Sequence, residues 1–111
     1  MTVEETLASL VDRFNRHAAK NPAMGEELAG LQRTIEIAIT DGGTYAVDLS
    51  GGRLANLRSG GAGHADVRIT TDAATFHGLV SKEIGPMKAL VLRKLTIDGS
   101  LDDKLLFRKL L

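Results

Sequence analysis

The sequence has no cysteine and no tryptophan, one tyrosine, three phenylalanines and two prolines among 111 residues. Without thiols there are no disulfides and no thiolate metal sites, which fits a reducing, cytoplasmic setting. With aromatic residues at 4% of the chain, the interior has to be built from aliphatic side chains. No apolar run approaches the ~20 residues of a membrane span. The opening residues, Met1-Thr2-Val3-Glu4-Glu5, lack the basic and apolar blocks of a secretory leader. Charge of one sign is lacking too: 14 basic residues balance 14 acidic ones. Neutrality argues against a general nucleic-acid binder, whose affinity comes from neutralising phosphates. The length predicts one domain over residues 1–111, large enough to bury a core of its own.

The balance is uneven along the chain. Residues 1–50 hold eight acids and four bases, whereas residues 81–111 hold seven bases and four acids. The basic last third is a solvated face or a contact surface for something anionic.

Hydrophobic spacing changes period twice. Thr2 and Glu5 have the spacing of a capping box. Val3, Leu7, Leu10, Val11, Phe14 and Ala18 then recur on one helical face as far as Asn21-Pro22. A short second helix is expected over residues 23–30. The period then becomes two, with Ile35, Ile37 and Ile39 alternating with polar or small neighbours. Asp41-Gly42-Gly43 is a turn, Tyr45, Val47 and Leu49 form a second strand, and Ser50-Gly51-Gly52 is another turn. A weaker strand follows at 54–57, then a glycine-rich loop, then a fourth strand at 65–70. Helical spacing returns with Phe76, Leu79 and Val80, and again after Gly85-Pro86 with Met87, Leu90 and Val91. A fifth strand is expected at 95–98. Ser100 and Asp103 cap a last helix bearing Leu101, Leu105, Leu106 and Leu110. Strands followed by helices predict an α+β fold whose sheet is covered on one face.

Catalytic and metal-binding patterns are missing. There is no Gly-x-Ser-x-Gly elbow, and Ser50 and Ser59 fall in turns. His17, His64 and His77 lie on separate elements with no metal-ligand spacing. Gly60-Gly61-Ala62-Gly63 precedes a strand, so it lacks the helix N-terminus that gives a phosphate loop its anion affinity. Asp102 and Asp103 are adjacent and diverge on a helix, which suits a capped first turn. No catalytic residue, cofactor or metal is expected.

Three segments carry a family resemblance. Phe76-x-x-Leu79-Val80, Gly85-Pro86-Met87-Lys88-Ala89-Leu90 and Lys94-Leu95-Thr96-Ile97-Asp98-Gly99-Ser100 resemble the C-terminal half of the sterol-carrier-protein-2 (SCP2) domain. Ala65-Asp66-Val67-Arg68-Ile69-Thr70 is similar to the strand before it, and the N-terminal elements agree in order and length. The resemblance implies an α-β(3)-crossover-β-α-β arrangement, a five-stranded mixed sheet with helices packed on one face. It also implies a non-catalytic carrier that holds a fatty acid, acyl-CoA, sterol or isoprenoid-like lipid in an apolar tunnel. Carried onto this chain, the tunnel would be bordered by Phe76, Val80, Ile84, Met87, Leu90, Val91, Leu101 and Leu105. The partners implied are a long-chain lipid and, through the basic last third, transient contact with an anionic membrane surface. From residue types alone, the same aliphatic faces also describe a solid core. Two other readings compete: an interaction or dimerisation module whose groove takes a partner helix, and an enzyme acting on lipids or thioesters.

Overall fold

The computed structural model describes residues 2–104 of the chain. Helix α1 (Val3–Lys20) starts with the expected reciprocal cap. The Glu5 N–H donates to Thr2 Oγ1 at 3.1 Å, and the Thr2 N–H donates to Glu5 Oε1 at 3.0 Å. The Thr2 backbone N–H, and after it the Thr2 hydroxyl, hold the Glu5 carboxyl below the usual glutamate range. Asn21 closes α1 and also caps α2 (Pro22–Leu28), accepting from the Met24 N–H at 3.2 Å. The sheet strands are β1 (Gln32–Ile39), β2 (Gly43–Ser50), β3 (Arg53–Ser59), β4 (Val67–Thr71) and β5 (Leu95–Gly99). Helices α3 (Ala73–Val80) and α4 (Pro86–Val91) lie between the last two strands in sequence.

The spatial order is β3-β2-β1-β4-β5. Strands β1, β2 and β3 form an antiparallel meander, β4 runs parallel to β1, and β5 returns antiparallel to β4. This is the five-stranded mixed sheet that the SCP2 resemblance implies. Period-two alternation fixes its inner face, because a one-residue slip would turn every isoleucine outward. Ile35, Ile37, Ile39, Val47 and Leu49 are each at most 5% exposed, and Leu7, Leu28, Phe76 and Ala89 join the cluster from the helices. The β2–β3 hairpin turns through Gly51 and Gly52, with φ of 60° and 79°. Two consecutive positive φ values are what a tight hairpin matching the strand twist requires, and glycine supplies both without strain.

Strand β3 is longer than expected and carries a bulge. Asn56 sits in the left-handed region at φ 57°, and the β2–β3 register shifts between Ala46 and Asp48. The extra residue lets Leu54 and Leu57, three apart, both pack against the core. Edge strand β3 is then held by α1. Asn15 donates from Nδ2 to the Leu54 carbonyl at 2.9 Å, and its Oδ1 accepts from the Leu54 N–H at 2.8 Å. A side chain that pairs an edge strand's free backbone groups also protects it from foreign strands.

The β3–β4 connection crosses the sheet on the face away from the helices. Glu36, only 5% exposed, pairs there with Arg68, and its Oε1 accepts from the Ala62 N–H at 3.1 Å. Asp66 Oδ2 accepts from the Thr34 N–H at 2.8 Å. A buried carboxylate needs such partners to offset its lost hydration. A Cβ on Gly61 would lie 2.7 Å from Glu36 Oε1, so a side chain there would have to displace this carboxylate oxygen.

Candidate functional site

The inner sheet face and the helices do not close completely on one another. Between them lies a cavity of about 390 Å³. Its floor is Ile37, Ile69, Thr71 and Leu95 from three strands; its walls are Leu10 and Phe14 of α1, Met24 of α2, and Phe76, Leu79 and Val80 of α3. Alternation delivers the floor residues, and helical i, i+4 spacing delivers Leu10 with Phe14 and Phe76 with Val80. Among the described residues, Phe14 and Phe76 are the phenylalanines that line this space, and the rest of its apolar lining is aliphatic or methionine.

The rim is different in character. Arg13, His17 and Lys82 line the cavity and are exposed. Arg13 donates from Nη2 to the Val80 carbonyl at 2.6 Å, tying α1 to the end of α3. Lys82 follows the end of α3 in the left-handed region at φ 65°, with its N–H donating to the Leu79 carbonyl at 3.2 Å. The cleft therefore has an apolar interior and a cationic lip, the polarity of an amphiphile with an anionic end.

Of the eight residues expected to border a tunnel, Phe76 and Val80 line this cavity. Ile84 and Leu90 pack against the core without lining it. Met87, Val91 and Leu101 are 49%, 75% and 71% exposed. Leu105 lies outside the described residues. The cause is the rotation of α4. Its inward face is Pro86, Ala89 and Leu90, with Ala89 fully buried. Met87 and Val91, one turn apart, point the other way.

Arg13, His17 and Lys82 are functional candidates that the sequence reading passed over. A signal was present. Arg13 and His17 are three and seven residues after Leu10, so they lie in line with the apolar face of α1.

One side-chain pair has the look of catalytic machinery. Thr6 Oγ1 and His77 Nδ1 are 2.7 Å apart. Thr6 is 2% exposed, however, and neither residue lines the cavity. A nucleophile must reach its substrate, so this bond serves to pin α1 to α3. Among the described residues no group of three His, Asp or Glu side chains is placed to hold a metal ion. No described helix is long and apolar enough to cross a membrane.

The family model of the SCP-2 sterol transfer family matches residues 11–111. The chain belongs to this family, one of lipid-binding and lipid-transfer domains. No curated protein matches it in sequence. Solved structures do match in shape. SCP-2-like 2 from Aedes aegypti superposes with a TM-score of 0.68 at 16% identity, covering 98% of this chain and 99% of that one. The palmitated form of the same mosquito protein gives 0.67 at 18% identity, with 99% and 94% covered. A sec-alkylsulfatase from a Pseudomonas species gives 0.62 at 21% identity over 78% of this chain. The present chain spans 14% of that sulfatase's length. At these identities the likeness is one of fold, and it agrees with the SCP-2 architecture described above.

Proposed function

We propose that this SCP-2 domain is a non-catalytic carrier that holds the apolar chain of a long-chain lipid between sheet and helices. The observation that carries the proposal is the pairing of an apolar 390 Å³ cleft with a polar lip that holds two cations, Arg13 and Lys82, beside His17. The lip favours anionic amphiphiles. Fatty acids and acyl-CoA therefore rank ahead of sterols and isoprenoids, whose neutral ends give two cations nothing to neutralise. Phe76, Val80 and Leu79 form the wall against the chain, and the carboxylate end stays near water at the lip. The palmitated mosquito relative is consistent with such a ligand. A cytoplasmic carrier of this kind would exchange cargo by touching anionic membranes.

The test is competition between a saturated fatty acid and the alcohol of equal length for a fluorescent lipid. Partly exposed charge pairs contribute about 0.2–1 kcal/mol each, so the acid should be preferred by roughly tenfold. A variant combining Arg13→Gln, His17→Gln and Lys82→Gln should bind the two equally. A wild-type protein that does not distinguish acid from alcohol would remove the lip from the account. One that binds neither would remove the carrier function.

A further inference from the structure

The turn from α4 into β5 combines features that the lipid cavity does not use. Val91 is 75% exposed and Leu92 53% exposed. Flanking them, Lys88, Arg93 and Lys94 are all exposed and make no ion pair with any described residue. Lys94 lies within electrostatic reach of Asp72, whose carboxyl is lowered first by its hydrogen bonds from Thr75 and least by this lysine. Large aliphatic side chains on a surface are ordinarily scattered singly, and a pair of them framed by three cations is not.

The turn is also built to hold its shape. The Leu92 N–H donates to the Lys88 carbonyl at 3.0 Å, the Arg93 N–H to Leu90 at 3.1 Å, and the Lys94 N–H to Ala89 at 2.9 Å. Arg93 is held in the left-handed region at φ 59°. Thr71 Oγ1 donates to the Lys94 carbonyl at 2.8 Å and so fastens the turn to the end of β4. Thr71 and Leu95, the residues next to this anchor, both line the lipid cavity. A surface held by the turn would thus lie one residue from the cavity floor.

We propose that the α4–β5 turn is the docking face for an anionic lipid bilayer. Leu92 and Val91 enter the interfacial region while Lys88, Arg93 and Lys94 meet the headgroups. The charge pattern selects this occupant. Interleaved aliphatic and cationic side chains match the apolar boundary and negative potential of such a membrane. A protein partner would have to bury three cations. The proposal deepens the carrier reading by giving its membrane contact an address, and its measurement does not depend on cargo.

The experiment is co-sedimentation of the full chain with phosphatidylcholine vesicles, with and without phosphatidylserine, at low and high salt. Wild-type protein should bind only the anionic vesicles, and salt should release it. A variant combining Lys88→Gln, Arg93→Asn and Lys94→Gln should lose roughly 100-fold in vesicle affinity. Leu92→Ser should lose about tenfold. Both variants should bind fatty acid as wild type does when no vesicles are present, a control that separates failure of docking from failure of the carrier reading. Equal vesicle binding by wild type and both variants would overturn the proposal. So would a Leu92→Ser variant that melts lower yet binds vesicles normally, because the turn would then belong to an intramolecular contact. Loss of a wild-type dimer in Leu92→Ser, with vesicle binding intact, would assign the turn to a second copy and overturn it as well.

Discussion

Lengthening a saturated fatty acid one carbon at a time gauges the cavity from inside. The cleft is half-open and has a volume of about 390 Å³. A methylene takes up about the volume of one water, ~30 Å³, so about 13 carbons fit. Each buried methylene contributes about 0.8 kcal/mol, or roughly fourfold in affinity. Affinity should therefore climb about fourfold per carbon and flatten near about 13 carbons, as the remaining chain reaches water. Displacement of a fluorescent fatty acid, at concentrations below micelle formation, reads this slope and its break. Leu79 lines the cavity on α3, so Leu79→Trp should move the break to shorter chains and leave the initial slope unchanged. An affinity indifferent to length would refute the reasoning. So would a break that stays in place in a Leu79→Trp variant with a wild-type melting profile.

Two further outcomes test the framework around the site. A Cβ on Gly78 would lie 2.7 Å from Ile84 Cγ1, and the Ile84 N–H is tied to the Gly78 carbonyl at 3.1 Å, so Ile84 has little room to yield. Gly78→Ala should destabilise by about 1 kcal/mol in urea unfolding, as overpacking of ~1–3 kcal/mol outweighs a helix-propensity gain of ~1 kcal/mol; a more stable variant would contradict the packing. Asp72 caps α3, and its carboxyl is held below the usual aspartate range, first by the Thr75 N–H at 2.7 Å and then by the Thr75 hydroxyl at 2.9 Å. Because the folded value is depressed, the cap's contribution is complete above the unfolded value of ~3.9 and is lost as pH falls through the folded value. Asp72→Ala should cost about 1 kcal/mol at neutral pH. Its difference from wild type should shrink in acid, and a gap that stays constant down to acid unfolding would count against this cap.

The inner sheet face is legible in the sequence because alternation leaves no choice: Ile35, Ile37 and Ile39 can reach a core only together. The ends of α1 and the hairpin at Gly51 and Gly52 are legible too, since each depends on neighbours within four residues. Strand β3 is not. Leu54 and Leu57 break the period of two, and only the left-handed Asn56, stabilised by its cross-strand neighbours, restores them to one side. Helix α4 shows the same limit. In six residues, Met87, Leu90 and Val91 make the more hydrophobic stripe, yet Pro86, Ala89 and Leu90 are the ones turned inward. Contact with β5 selects the second, because small Ala89 permits close approach. The cationic lip is hidden for a different reason: Lys82 reaches Arg13 and His17 only through the packing of α3 on α1, which no local spacing encodes.

The most direct test of the carrier account is isotope-filtered NMR on the protein saturated with ¹³C-labelled fatty acid. The account predicts cross-relaxation between the labelled chain and the methyl groups of Ile37, Ile69 and Leu79, with the carboxylate end nearest Arg13 and Lys82. Contacts confined to Met87, Val91 and Leu101, or none to any inward-facing methyl, would contradict it.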